Sequence, residues 1–308
     1  MCIEIEEKRC TQCGRCVNWC PKDAIILEEH PIIDDLECIY CGECVKVCPE
    51  NVLEIKDARP NQNIYEDFAE VYKEGKYPKF SEAMADILPD ILERFDVEGE
   101  TLLDIACGEG SFAVKAAESG YDVVGLDMST RQIEIAREKD IEGKVDFIVK
   151  DMRELSFQDR FDIATCWYDS LNYILDKDDL RRVFQGVYNS LRRGGVFIFD
   201  VNTVYVMEEI WDDQTIVKED SSDRFDMVEQ RYHQDEHETS IKLTSFLRGS
   251  EDRWRKIEEI HRERAYSFEE LEKIYREIGF KELARWKDPE ERISADDETE
   301  RAWFVLKR

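Results

Sequence analysis

The chain lacks a long apolar run, a secretory start and any basic cluster. No segment approaches the roughly 20 apolar residues that a membrane span requires, so a membrane protein is not expected. The first residues, MCIEIEEK, have neither the positive charge nor the apolar stretch of a secretory signal, and the expectation is a cytoplasmic protein. No group of lysines and arginines is dense enough to form a basic patch. Only 43 basic residues stand against 72 acidic ones, for a net charge of -29. Such a surface repels nucleic-acid phosphate, so nucleic acid is not expected as a partner. A basic metabolite, a neutral small molecule or a basic protein suits the charge better. Glutamine is scarce beside abundant glutamate and lysine, as in thermophile compositions. What remains is a chain of 308 residues, 42% hydrophobic, long enough for two domains with a sizeable core.

Disulfides are not expected either, because the cytosol keeps thiols reduced. Yet there are 11 cysteines, eight of them in two ordered sets before residue 49, a pattern that points to metal. RCTQCGRCVNWCPKDAIILE repeats as ECIYCGECVKVCPENVLEIK, offset by 28 residues. Each half reads as a cysteine loop, a short helical turn and a strand. The polar break KDARPNQN follows, with Pro60 inside it. The expected organisation is therefore a small domain over 1–58, a linker over 59–63 and a second domain over 64–308.

From Ile64 the pattern changes. IYEDFAEVYKEG and KFSEAMADILPDILERF have helical periodicity. Then strands and helices alternate: TLLDIA, SFAVKAAESG, DVVGLD, TRQIEIAREKD, VDFIVKD, then strand FDIATCW, helix LRRVFQGVYNSL and strand GVFIFDVN. Alternation of this kind argues for a parallel sheet covered on both faces. Between 214 and 266 the period becomes two, which predicts antiparallel strands forming a lid or substrate wall. A helix, SFEELEKIYREIG, and strands KELARW and AWFVLK end the chain, with the acidic segment 288–301 expected as a long exposed turn.

Cys10, Cys13, Cys16 and Cys20-Pro21 give C-x2-C-x2-C-x3-C-P, and Cys38, Cys41, Cys44 and Cys48-Pro49 repeat it. This resembles the bacterial two-cluster 4Fe-4S ferredoxins over about 56 residues. Three thiolates on one tight loop cap three corners of a cubane, and the fourth comes from the other half. The resemblance implies one cluster on Cys10, Cys13, Cys16 and Cys48, and another on Cys38, Cys41, Cys44 and Cys20. Gly14 and Gly42 sit inside the loops. The plainer alternative, a structural four-sulfur zinc site, leaves half of the duplicated cysteines without a purpose. For Cys2, Cys107 and Cys166 a core or loop place is the default.

LLDIACGEGSF at 102–112 is an apolar strand entering a glycine turn and then a helix. Dinucleotide-binding enzymes also use such a turn, but an acidic residue inside it would repel a pyrophosphate. The series continues with VVGLDMS, VDFIVKDMREL, FDIATCWYDSLNYI and LRRGGVFIFDVNT. Together these resemble the class I S-adenosylmethionine-dependent methyltransferases across 64–308. The implied fold is α/β: a seven-stranded Rossmann-like domain with an antiparallel insertion, preceded by a small α+β ferredoxin domain. The resemblance implies that Asp104 lies near the methionine ammonium, that Gly108 and Gly110 form the close-approach turn, and that Ala106 and Cys166 lie against the cofactor. Asp127 would accept from both ribose hydroxyls, and Met128 would pack on adenine. Asp151 would accept from the adenine amino group, and the Met152 amide would meet a ring nitrogen. Tyr65 and Tyr72 would cover the cofactor. Trp167, Tyr168, Asp169 and Asn172 follow the fourth strand, where this fold faces the transferred methyl group. Asp169 is the best candidate base, with Tyr168 and His261 behind it.

The loop lacks the N-P-P-Y or D-P-P-Y signature of adenine and glutamine-amide methylation. His233-Gln234-Asp235-Glu236-His237 fits H-x-x-E-H, but that zinc chemistry needs a helix, and this polar segment between alternating strands reads as a hairpin turn. Radical adenosylmethionine chemistry needs a cluster with an open iron corner, whereas each cluster here has four thiolates. The resulting expectation is methyl transfer to N, O or S of a small-molecule acceptor, with the iron–sulfur domain serving electron transfer or redox coupling, and with a redox partner protein. The rival is an electron carrier or redox sensor whose second domain only binds adenosylmethionine and docks a partner.

Overall fold

The computed structural model describes residues 2–34, 37–38, 41–56, 64–65, 68–75, 78–249 and 253–308. The expected linker, 59–63, lies outside the described residues. Two compact units emerge: one of residues 1–64, 211–233 and 239–262, the other of 65–210, 234–238 and 263–308.

In chain order the elements begin with β1 (Cys2–Ile5), α1 (Arg15–Asn18), β2 (Ile25–Leu27), β3 (Pro31–Ile33), α2 (Glu43–Val47) and β4 (Leu53–Lys56). Then come α3 (Ala69–Glu74), α4 (Pro78–Arg94), β5 (Thr101–Ile105), α5 (Ser111–Glu118), β6 (Asp122–Asp127), α6 (Thr130–Lys139) and β7 (Val145–Val149). β8 (Phe161–Cys166), α7 (Lys177–Ser190) and β9 (Leu191–Asn202) follow. β10 (Gln214–Asp220), β11 (Arg224–His233), β12 (Glu238–Arg248) and β13 (Trp254–Arg264) lead to α8 (Phe268–Ile278). The chain closes with β14 (Lys281–Asp288), β15 (Ile293–Ser294) and β16 (Arg301–Lys307).

In the first unit, β1 pairs antiparallel with β4, and β2 with β3. Gly14 and Gly42 precede α1 and α2 at φ +68° and +78°, a left-handed conformation that a side chain would strain. The core of this part is small. Cys16, Ile25, Cys44, Val52 and Leu53 are buried together, and Cys10, Cys20 and Cys48 pack against them. The four-stranded sheet β10-β11-β12-β13 falls mostly in the same unit, although its stretch was expected as an insertion of the second domain. Arg231 on β11 is ion-paired with Glu37, and with Asp213 at 2.9 Å.

The second unit is built on a mixed sheet of order β15-β14-β16-β9-β8-β5-β6-β7. β9, β8, β5, β6 and β7 run parallel; β16 enters antiparallel between β9 and β14. The eighth strand beyond the expected seven is the two-residue β15, inside the acidic segment. Successive residues of β5 feed opposite cores. Leu103 and Ile105 join Phe184 and Leu271 on one face, while Leu102 joins Leu88, Phe112 and Ile133 on the other. Burial on both faces is why these strands read as continuous apolar runs rather than alternations. Among the described residues no helix is long and apolar enough to cross a membrane.

Candidate functional site

The parallel register pairs Asp104 with Thr165 and with Gly125, Ile105 with Cys166, and Asp127 with Val149. The carboxyl ends of β5, β6, β7 and β8 therefore share one edge, where open parallel sheets bind ligands. β5 leaves into a turn with Ala106, Gly108 and Gly110 all left-handed, at φ +56°, +54° and +82°. A Cβ on Gly110 would come within 2.9 Å of Ala136 and Phe147, so packing demands glycine there. A Cβ on Gly108 would meet nothing within 4 Å, so the space above that residue is open to a ligand.

Asp127 ends β6, and its two oxygens accept from the Gly108 and Ser129 amides at 3.0 and 2.9 Å. The backbone thus orients this carboxylate at the strand end. Asp104 is buried. One of its oxygens accepts from the Thr165 hydroxyl at 2.9 Å, while Oδ2 has no partner. Burial, and secondarily the charge of Asp127, push its pKa up to about 8. A cationic donor is what this carboxyl lacks. Asp151 follows β7 and accepts from the Arg153 amide at 2.8 Å and from its guanidinium, which also reaches Asp179. Met128 and Met152 are half-buried beside these strand ends. Glu109, the acid inside the turn, is buried; it pairs with Lys139 and accepts from the Ser111 amide at 3.3 Å. It therefore fills the start of α5, where a pyrophosphate would otherwise bind.

After β8 the loop makes two consecutive left-handed residues, Tyr168 and Asp169, at φ +58° and +53°. Their amides donate to the two oxygens of Asp200 on β9, at 2.7 and 2.9 Å. Arg301 on β16 pairs with Asp200 and with Asp169 at 3.3 Å, and its guanidinium lies over the rings of Phe80 and Tyr168. The Asn202 amide donates to Asp169 and, at 3.1 Å, to Glu263 on β13. Asn172 is fully buried and spends its amide on the backbone of Asn202 and Arg264, so it holds the loop rather than facing a ligand. Tyr65 and Tyr173 share a hydrogen bond at 2.8 Å, and Tyr72 meets Tyr65 and Tyr168 edge-on. Trp167 is buried against Phe112.

Cys166 lies at the meeting point. Burial first, and then the carboxylates of Asp200, Asp104, Asp127 and Asp169, push its thiol well up. These four acids come from β5, β6, the β8 loop and β9, and the charge of each reaches the Cys166 thiol. Burial also raises Asp169 and Glu263, with the charge of Asp200 adding at Asp169 and that of Asp169 adding at Glu263. Sequence reasoning missed Asp200, Asn202, Glu263 and Arg301. A signal existed for two of them: Asp200 and Asn202 stand two apart, on one face, at the end of an otherwise apolar run that begins at Val196.

In the first unit two separate cavities open. One is lined by Cys10, Cys13, Cys16 and Cys48. The other is lined by Cys20, Cys38, Cys41 and Cys44. The Ala24 amide donates to the Cys20 sulfur at 3.3 Å. Among the described residues no three Cys, His, Asp or Glu side chains converge on a point suited to a single ion. Four sulfurs around a cavity, rather than around a point, fit a cubane better than zinc. His233 ends β11 and bonds Ser240 at 2.9 Å, whereas His237 lies in the turn that follows. His261 is buried and bonds Glu259 at 2.9 Å.

Comparison with known proteins places these features among relatives. A methyltransferase-domain profile matches residues 102–195, and a 4Fe-4S dicluster-domain profile matches 8–53. A protein of Geobacillus sp. (strain WCH70), described as a methyltransferase, is 30% identical over 79% of this chain and 99% of its own length. A dTDP-4-amino-2,3,4,6-tetradeoxy-D-glucose N,N-dimethyltransferase of Saccharopolyspora spinosa is 33% identical over 33% of this chain and 41% of its own. The solved structure of an S-adenosylmethionine-dependent methyltransferase from Clostridium acetobutylicum superposes with a TM-score of 0.69 at 27% identity. It covers 80% of this chain and 99% of that one.

Proposed function

This chain belongs to the S-adenosylmethionine-dependent methyltransferases and carries a 4Fe-4S dicluster domain at its amino terminus, and on that premise we propose that it methylates a small-molecule acceptor with Asp169 as general base. The observation that carries the reading is the strand register that brings Asp104, Asp127 and the glycine turn to the same sheet edge as the loop after β8. Asp104 and Asp127 belong to the glycine-turn side, Asp169 to the loop after β8, and Asp200 to β9, where it holds that loop. The cofactor supplies a methyl group on a sulfonium. In this reading the unpartnered oxygen of Asp104 receives the methionine ammonium, directly or through water. Gly108 lets the backbone approach, with Ala106 and Cys166 beside it. Asp127 takes the ribose hydroxyls, Met128 packs on adenine, and Asp151 and the Met152 amide meet its edge. Tyr65, Tyr72 and Tyr168 wall the reaction centre, where aromatic rings attract a sulfonium. Rate then comes mainly from holding nucleophile and methyl in line.

For the amino-terminal domain, Cys10, Cys13, Cys16 and Cys48 would hold one cluster, and Cys20, Cys38, Cys41 and Cys44 the other. Bound clusters supply one-electron chemistry. We propose that the redox state of this domain sets the rate of methyl transfer and that a redox partner protein delivers the electrons. The relative acting on an amino sugar supports a small acceptor. The test is methyl transfer by anaerobically purified holoenzyme to a panel of small amines, alcohols and thiols, with and without dithionite. Turnover of a small acceptor that changes on reduction is expected. Methylation confined to macromolecules would overturn the acceptor class, and equal rates in both states would overturn redox coupling.

A further inference from the structure

We propose that the acceptor's nucleophile is an amine that arrives as an ammonium ion and is received by the paired carboxylates of Asp169 and Glu263, which makes Glu263 a second catalytic residue. This rests on the methyl-transfer reading above and names the acceptor class for the same site.

The pair is 94 positions apart in sequence (169 to 263). The loop after β8 and the end of β13 bring both acids to one side-chain amide, that of Asn202. Asp169 is 6% exposed and Glu263 2%. A third carboxylate, Asp200, is fully buried beside them and is used by two loop amides and Arg301. One guanidinium, that of Arg301, pairs with Asp169 and Asp200, and its charge also reaches Glu263. Ionising all of them in a dry interior leaves two negative charges uncompensated, which is costly. Either protons or a further cation must supply the balance. Burial is the larger cause that raises both acids; the charge of Asp200 adds to the rise at Asp169 and that of Asp169 to the rise at Glu263, while Arg301 and the Asn202 amide oppose both.

The surroundings favour a cation over a neutral guest. Tyr65 and Tyr173 are also raised, by burial and then by neighbouring groups that include Asp169 and Glu263, so both phenols stay neutral. Tyr72 and Tyr168 complete the aromatic wall. Paired carboxylates and neutral aromatic rings are the two features that recognise an ammonium. On the neighbouring strand the buried Asp104 oxygen has no partner, a second acceptor on this edge that a charged donor would satisfy. An alcohol or thiol would bring no charge to offset the acids.

The step balances as follows. One N–H proton of the ammonium passes to the carboxylate pair, and the nitrogen regains its lone pair. The N–C bond to the methyl carbon forms as the C–S bond breaks, with its electrons remaining on sulfur. The product leaves as a methylated ammonium, and the carboxylate proton returns to solvent.

The probe is sinefungin, an adenosylmethionine analogue with an amine where the sulfonium methyl stands, compared with S-adenosylhomocysteine, which has neither. Calorimetry on the full-length holoprotein at pH 8 should show sinefungin bound about tenfold more tightly. The preference should shrink toward pH 5, as the acids take up protons. Glu263→Gln should lower it several-fold, and Asp169→Asn likewise, with S-adenosylhomocysteine affinity as the check that each variant is folded. No preference in the native protein, or an unchanged preference in both variants, overturns the ammonium site while leaving methyl transfer intact. If neither ligand binds, both readings fall.

Discussion

The first 56 residues and the eight-stranded sheet are both built by repetition of strand and helix, but different residues hold them. In the amino-terminal part three ordinary apolar residues, Ile25, Val52 and Leu53, share the core with cysteines. Its helices, Arg15–Asn18 and Glu43–Val47, are single turns. Such a module cannot bury enough apolar surface to stand on it alone. The sheet of the second unit buries whole apolar strands on both faces and keeps its polar residues for the ligand edge. The ligating groups are the core in one region and are exceptions to the core in the other. Losing them should therefore have opposite effects on stability.

The largest effect should follow removal of iron. Anaerobic chelation should collapse amide-exchange protection over 2–56, because a metal site of this kind contributes on the order of 10 kcal/mol to folding. Protection in β5, β8 and β9 should persist. Retained protection over 2–56 would break the comparison. Cys48→Ser sharpens it: iron should fall from about eight to about four per chain, with loss from the cavity shared with Cys10, Cys13 and Cys16.

A ligand-edge residue should cost binding instead. Asp127→Ala should weaken S-adenosylhomocysteine by about 2–3 kcal/mol in calorimetry, from lost charge-assisted bonds. The Gly108 and Ser129 amides lose their acceptor in the same change. Unchanged affinity would show that this edge does not hold the ribose.

The smallest effect should have the opposite sign. The Asp104 pKa of about 8 in the fold exceeds its ordinary value of 3.8. Between those values the folded state holds a proton that the unfolded chain has released, so stability falls as pH rises from about 4 to about 8 and then levels. Asp104→Asn should therefore raise the melting temperature of ligand-free protein at pH 8 by a few degrees, about 1 kcal/mol. The gain should vanish near pH 4, and S-adenosylhomocysteine should bind more weakly. A variant less stable at pH 8 would mean that this carboxyl supports the fold.

Much of this arrangement was legible in the chain. The cysteine spacing and the order of strand, glycine turn and acidic strand end are local patterns, and local patterns survive in sequence. The αβ alternation is likewise legible, because buried parallel strands are apolar throughout. The chemistry around Asp169 was half legible. Asp169 follows its strand directly, but Asp200, Asn202, Glu263 and Arg301 reach it only because β16 lies beside β9 and β13 ends nearby. Glu263 was hidden in a stretch whose period-two alternation indicates a sheet face and is silent about which glutamate turns inward. Asn172 misled for the opposite reason: a polar residue in a promising loop can serve the backbone alone.

The cavity linings, each with one cysteine from the other half, also set a timetable for synthesis. Were each half self-sufficient, the first cavity would be complete when Cys20 emerged from the ribosome and the second 28 residues later, at Cys48. With the observed linings, one cavity is complete at Cys44 and the other at Cys48, only four residues apart. The nascent chain thus carries four waiting thiols, Cys10, Cys13, Cys16 and Cys20, through most of its first domain, and then completes both cysteine-lined chambers almost at once. Cluster delivery becomes a single late event, and a chain stalled before residue 44 holds neither.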